Sequence, residues 1–210
     1  MQVKILQEND LQMKLNTREL YEENFDINDK DYIDYYYDVI VKRNKIAILE
    51  DNGKIISMIH LNPYKYSVFG KIYDVHYLVA VTTKLQYRGN GYMNILLNET
   101  LLYLKELNEP FCYLLADNKR LENYYKKYGF EIVCKFTLDK FSKDTYDVFP
   151  VNDEEYNDLM IAENDFLEKE SDDYRLNLSR KNVMMKILNN RDGLLIDKFK
   201  NSKVYVCQEV

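Results

Sequence analysis

Two of the six glycines of this 210-residue chain stand one residue apart, in the stretch LQYRGNGYM from Leu85 to Met93. Just before them runs YDVHYLVAVT, Tyr73 to Thr82, whose end is nearly all apolar, as expected of a central strand. Just after them Met93, Leu96, Leu97, Leu101 and Leu104 recur at helical spacing. A buried strand, a glycine loop and an amphipathic helix in direct succession leave few folds open. The loop brings backbone amides to the start of a helix, which is a seat for an anion. Glycine lets that backbone approach closely, because there is no Cβ to clash.

Three loops of this kind are known to hold phosphates. A P-loop needs Lys and Ser or Thr where Tyr92 and Met93 stand. A dinucleotide fingerprint needs three glycines early in the chain, and here two fall in its middle. The third is a loop whose amides cradle a pyrophosphate at a helix start, and its physical requirements are met.

Around this centre the chain alternates. Val3 to Leu6 reads as a strand, Asp10 to Phe25 as a helix with Leu11, Leu15 and Tyr21 on one side, and Asn28 to Ile40 as a second helix capped by Asn28. Asp51-Asn52-Gly53 between apolar runs marks a hairpin, and Phe69-Gly70-Lys71 suggests another. After the loop helix, FCYLLA is a buried strand, Asn118 to Tyr128 a helix stopped by Gly129, and FEIVCKFTL the next strand. Alternation in this half implies local parallel pairing, so the class is α/β with a mixed sheet. From about Lys143 the composition shifts, and residues 151–174 hold ten Asp or Glu against one Lys. Arg180 to Asn189 reads as a further helix and KVYVCQEV as a last strand, a faint repeat of the order near the start. The expected division is a domain over 1–140 and a C-terminal extension over 141–210, helical with a final strand.

The net charge of −6 argues against nucleic acid as a partner. Cys112, Cys134 and Cys207 lack metal-ligand spacing, and the first two read as small core residues. No secretory signal or bilayer-spanning run is present, so no membrane partner is expected and the expected location is cytoplasmic.

Gln86-Tyr87-Arg88-Gly89-Asn90-Gly91 resembles the Gln/Arg-x-x-Gly-x-Gly/Ala motif of the GNAT (Gcn5-related N-acetyltransferase) superfamily. NKRLENYYKKYGFE resembles that family's second signature through Asn118, Tyr125, Lys127 and Gly129-Phe130. Together the two cover roughly residues 1–138. The stretch from Ser57 to Met93 also looks like the branch related to the enhanced-intracellular-survival acetyltransferases, which carry a second GNAT-like half. On that resemblance residues 141–210 are the start of such a half rather than a plain helical extension.

The resemblance implies a GNAT acyltransferase fold with a splayed central strand pair and acetyl-CoA as co-substrate. It assigns the backbone of Val79, Ala80 and Val81 to the pantetheine arm. Gln86, Tyr87, Arg88, Gly89, Asn90, Gly91 and Tyr92 then hold the pyrophosphate, Asn118 contacts the cofactor, and Tyr125 is the general acid; no metal is implied. The residues also allow plainer roles. Arg88 could cover a helix end, Asn118 could be a helix cap, Tyr125 could be a packed ring, and His60 and His76 could be strand residues with a satisfied ring nitrogen. The base is open: many family members place a carboxylate where Val75 stands, and strand alternation puts Asp74 and His76 on the other face.

The expected function is transfer of an acetyl group from acetyl-CoA to a primary amine of a small molecule or peptide. Acidic residues concentrated over 26–38 and 153–173 favour a cationic acceptor. Two rivals stand beside it: a catalytically degenerate CoA-binding domain with a regulatory role, and an interaction module whose acidic tail docks a basic partner. Homo-oligomerisation is left open.

Overall fold

The computed structural model describes residues 1–25, 30–136, 145–151, 181–190 and 192–206. The chain forms two compact units, one of Met1–Pro63 with Tyr77–Leu107, the other of Tyr64–His76 with Asn108–Val210. The strands are β1 (Gln2–Leu6), β2 (Lys45–Asp51), β3 (Lys54–Val68), β4 (Lys71–Thr83), β5 (Phe111–Ala116), β6 (Glu131–Lys135), β7 (Val148–Pro150) and β8 (Asn182–Ile187). The helices are α1 (Leu11–Leu15), α2 (Arg18–Glu22), α3 (Lys30–Tyr35), α4 (Val41–Arg43), α5 (Tyr92–Glu106), α6 (Lys119–Lys126) and α7 (Ile196–Lys200). The class is α/β with an open mixed sheet, as the sequence pattern implied.

In the first unit β1, β2 and β3 form an antiparallel meander, with Val3 opposite Leu49 and Ile46 opposite His60. The β2–β3 turn takes Asn52 and Gly53 to φ 49° and 79°, the left-handed pair that a two-residue hairpin requires. Helix α5 packs on β1 and β2 through Leu96, Leu97, Leu101 and Leu104.

The helix expected over Asp10–Phe25 is broken in two. Thr17 is fully buried, and its hydroxyl donates to the Lys14 carbonyl over 2.6 Å while its amide bonds the same carbonyl, tightening the chain into a 3₁₀ turn. The next helix widens into a π turn over Tyr36–Ile40, where Tyr36 and Tyr37 are buried. Asn28, expected to cap it, lies outside the described residues.

In the second unit β8 pairs antiparallel with β5 on one side and with β6 on the other. This corrects two expectations. The parallel pairing inferred for this half is not found between β5 and β6, because β8 stands between them. The helix expected over Arg180–Asn189 is a strand: flanked by β5 and β6, residues Asn182–Ile187 complete both ladders, and that outweighs the helical preference of Met and Lys. Helix α6 connects β5 to β6, and α7 packs on β6 and β8. β7 pairs with the outer end of β3, and Val204 makes a parallel bridge to Val148. Of the last strand expected over KVYVCQEV, the described residues 203–206 form only that isolated bridge, and 207–210 lie outside the described residues, as does the acidic run over 153–173.

Candidate active site

β4 does not reach the glycine loop as a regular strand. Ala80 has φ 51°, left-handed in the middle of an extended run, with Val79 and Val81 half-buried on either side. A left-handed residue inside a strand bulges it and turns a peptide out of the ladder. Alanine carries no preference for that conformation, so nothing in the sequence announced it.

From Thr83 the chain is fastened at several points. Ser57 and Thr83 hydroxyls lie 2.8 Å apart, and the Lys84 amide donates to Ile56 O over 2.9 Å. Arg88 Nε donates to Thr83 O over 2.9 Å, and its Nη2 donates to Asn24 Oδ1. The guanidinium therefore braces the loop against the end of β4 and the turn after α2. No sequence motif points to Asn24 as its partner.

Between Arg88 and the helix the backbone reverses twice, at Gly89 (φ 81°) and Gly91 (φ 79°). The side-chain Nδ2 of Asn90 donates to both Tyr87 O and Arg88 O over 3.2 Å. A Cβ at either glycine would meet nothing within 4 Å. Their requirement is the left-handed φ, not crowding by the protein itself.

Gly91 is the N-cap of α5 and has no side chain to cap with. The Ile95 amide is bonded back to Gly91 O, so the amides of the turn before it have no carbonyl a turn behind them. The first turn of α5 contains no acidic residue to offset the positive end of the helix dipole. The loop thus presents uncapped amides and an unneutralised dipole, with Tyr87 and Tyr92 flanking it, ring centroids 6.3 Å apart. Those features suit a pyrophosphate, and the residues from Val79 to Tyr92 named from the sequence lie together here, in the first unit.

Asn118 and Tyr125 belong to the second unit. Asn118 is the N-cap of α6, and its Oδ1 accepts from the Leu121 amide over 3.1 Å. Tyr125 is buried with its ring edge-on to Phe130 at 5.9 Å. Burial, helped by the charge of Asp117, pushes its phenol well above the ordinary tyrosine range, so the hydroxyl stays protonated. Gly129 (φ 82°) turns the chain at the end of α6 as the sequence implied.

The histidines have structural partners. His60 Nδ1 lies 3.0 Å from Tyr36 Oη, and burial pushes its pKa down to about 3. His76 Nδ1 lies 2.6 Å from Glu109 Oε1, both side chains being buried. Glu109 is brought to His76 by the fold alone, and no motif links the two. Val75 is fully buried. The Cys134 thiol is pushed up to about 12 by burial, and Cys112 rises well above its ordinary value for the same reason; Cys112 is a core residue and Cys134 is half-buried. Among the described residues no group of three His, Cys, Asp or Glu is placed to hold a metal, and no helix is long and apolar enough to cross a membrane.

The family model of the acetyltransferase (GNAT) domain matches residues 3–133. The chain belongs to the GNAT acetyltransferase domain family. That match is to the family as a whole and does not single out the enhanced-intracellular-survival branch. No curated protein matches this GNAT chain in sequence. Among solved structures it is similar to the ribosomal-protein-S18-alanine N-acetyltransferase of Escherichia coli, with TM-score 0.55, 12% identity, and coverage of 92% of this chain and 98% of that one. It is similar also to Rv2747 of Mycobacterium tuberculosis, solved with CoA and NLQ, with TM-score 0.53, 15% identity, and coverage of 90% and 100%. A conserved protein of Enterococcus faecalis, a probable N-acyltransferase, gives TM-score 0.52 and 15% identity over 64% of this chain, which spans 33% of that longer one. Likeness to structures at identities this low shows the shared fold alone.

Proposed function

We propose that this GNAT domain transfers the acetyl group of acetyl-CoA to a primary amine of a cationic small molecule or peptide. The observation that carries the reading is the loop from Gly89 to Gly91, which presents the uncapped amides of α5 shortly after β4 with its left-handed Ala80. Gln86, Tyr87 and Asn90 are assigned to the same cradle, with Arg88 bracing it. A CoA-bound relative of the same fold supports acetyl-CoA as co-substrate.

The reaction needs little covalent help. A neutral amine attacks the thioester carbonyl and forms the C–N bond; the C–S bond breaks, the nitrogen gives up one proton to solvent, and the departing thiolate takes one up. A backbone amide near Val81 is assigned to the developing oxyanion. Tyr125, kept neutral by burial, is assigned the donation to sulfur. Asn118 holds the start of the helix that carries Tyr125.

The acidic approach expected for the acceptor rests on fewer free charges than the sequence suggested. Asp34 is engaged by Arg18 at 2.5 Å, and Asp38 is 3.9 Å from Lys42. The test has two arms. Calorimetry with acetyl-CoA is expected to show one binding event. Thiol release is then measured with spermidine, a lysine-bearing peptide, a neutral amine and an anionic amine at low and high salt. Cationic amines are expected to react faster, with the advantage shrinking in salt. Equal rates for all amines at both salt levels would remove the cationic acceptor, and binding without thiol release from any of them would remove catalysis.

A further inference from the structure

Three residues of the C-terminal segment meet the helix of the second signature. Lys181 Nζ is 2.7 Å from Asp117 Oδ1, just before α6. Asn182 Nδ2 donates to Glu122 Oε1 over 2.6 Å, in its first turn. Lys186 Nζ donates to Tyr128 O over 2.6 Å, beyond its last turn. Asn182 and Lys186 are separated by an even number of strand positions, so both project from the same face of β8. That strand lies between the two strands α6 connects, so one rigid element grips both ends of the helix.

Tyr125 sits between these grips. Its carbonyl accepts from the Tyr128 amide at 2.9 Å and from the Phe130 amide at 3.3 Å. The turn that Lys186 holds is therefore the turn that ends on Tyr125. The electrostatics agree: an ammonium at the C-terminal end and the Glu122 carboxylate in the first turn both complement the helix dipole. The Lys181–Asp117 pair is more exposed and contributes less.

We propose that Lys186 and Asn182 are positioning residues for Tyr125, fixing the height and rotation of α6 so that the phenol is held for proton donation. This rests on the acetyl-transfer reading. Donation works only within hydrogen-bond reach, and a displacement of about 1 Å can cost up to ~10²-fold in rate.

The experiment compares Lys186→Met, which keeps the stem and loses the donor, with Lys186→Arg, which keeps both donor and charge. Amide hydrogen exchange is followed at Tyr128, Gly129 and Phe130, and thiol release is measured with acetyl-CoA and spermidine or a lysine-bearing peptide. Lys186→Met is expected to speed exchange at those amides by roughly tenfold. It should lower kcat by about tenfold with KM for acetyl-CoA unchanged, and Lys186→Arg should recover most of both. In a Tyr125→Phe background Lys186→Met should lower kcat no further, because the group it positions is gone. If Lys186→Met does not fold, Asn182→Ser carries the same comparison at the other end of the helix, read at the amides of the first turn. Unchanged exchange would overturn the tether. Faster exchange with an unchanged kcat, or an equal loss of kcat with and without the Tyr125 hydroxyl, would overturn the positioning role. A wild-type protein that binds acetyl-CoA but acetylates neither amine would overturn the acetyl-transfer reading and this role with it, and the exchange data would still report on the tether separately.

Discussion

The ammonium of Lys186 occupies the space where a side chain on Gly129 would begin: a Cβ at residue 129 would lie 2.9 Å from Nζ. Gly129 is therefore constrained twice, by its left-handed φ of 82° and by the lysine that reaches past it to Tyr128 O. Gly129→Ala is expected to cost about 1–2 kcal/mol for the left-handed alanine and more for displacing the lysine. Urea denaturation checks it. In a Lys186→Met background the second part of the loss should vanish, and a full loss there would show that φ alone sets the cost.

Gly91 is constrained once. Nothing within 4 Å opposes a Cβ there, so a larger residue strains φ without striking the fold. Gly91→Val is expected to weaken acetyl-CoA binding by at least ~10-fold, about 1.4 kcal/mol, with a drop in Tm of a few degrees at most. Binding calorimetry beside a thermal melt decides. Losses in affinity that simply follow unfolding would remove the loop from the cofactor site.

The two signatures differ in how much of them the sequence made legible. The strand, loop and helix around Gly89 and Gly91 were readable because glycine in left-handed φ and a 3.6-residue apolar period are local properties. The Asn118 cap and the Gly129 stop were readable for the same reason. Ala80 was not, since its φ is imposed by its neighbours and not by its own preference. β8 was misread for a specific cause. Asn182 and Lys186, four apart, share a side in a helix as well as in a strand, and Val183, Met184 and Met185 are all fully buried, so no alternation shows. The pairing of His76 with Glu109, and of Arg88 with Asn24, depends on the fold bringing distant residues together.

Tyr125→Phe tests the proposed acid. The ring still packs on Phe130, so acetyl-CoA affinity should hold while kcat falls ~10²–10⁴-fold. Because burial raises the phenol's pKa, no loss of wild-type rate from Tyr125 ionisation is expected below pH ~10. A steady-state pH profile reads both, and an unchanged kcat would make Tyr125 a packing residue.

His60 predicts acid sensitivity. Its folded pKa is lowered to about 3, against ~6.5 in the unfolded chain. The unfolded state therefore binds more protons between those values, and stability is lost as pH falls from ~6.5 toward 3. Urea midpoints measured across that window should slope downward on acidification. His60→Leu should flatten the slope, although its baseline drops because the Tyr36–His60 hydrogen bond is lost. An equal slope in the variant would assign the acid sensitivity to other groups.

The place of β8 between β5 and β6 dictates an order of events during synthesis. β6 ends at Lys135, and the strand that joins it to β5 begins only at Asn182. Until that strand has left the ribosome, β5 and β6 each carry an open edge, and such edges invite pairing with other chains. The region matched by the family model stops at residue 133. A nascent chain or proteolytic fragment ending there therefore contains both signatures and lacks the strand that joins β5 to β6. It is expected to be captured by chaperones or to aggregate, and to fold once residues up to Ile187 are supplied.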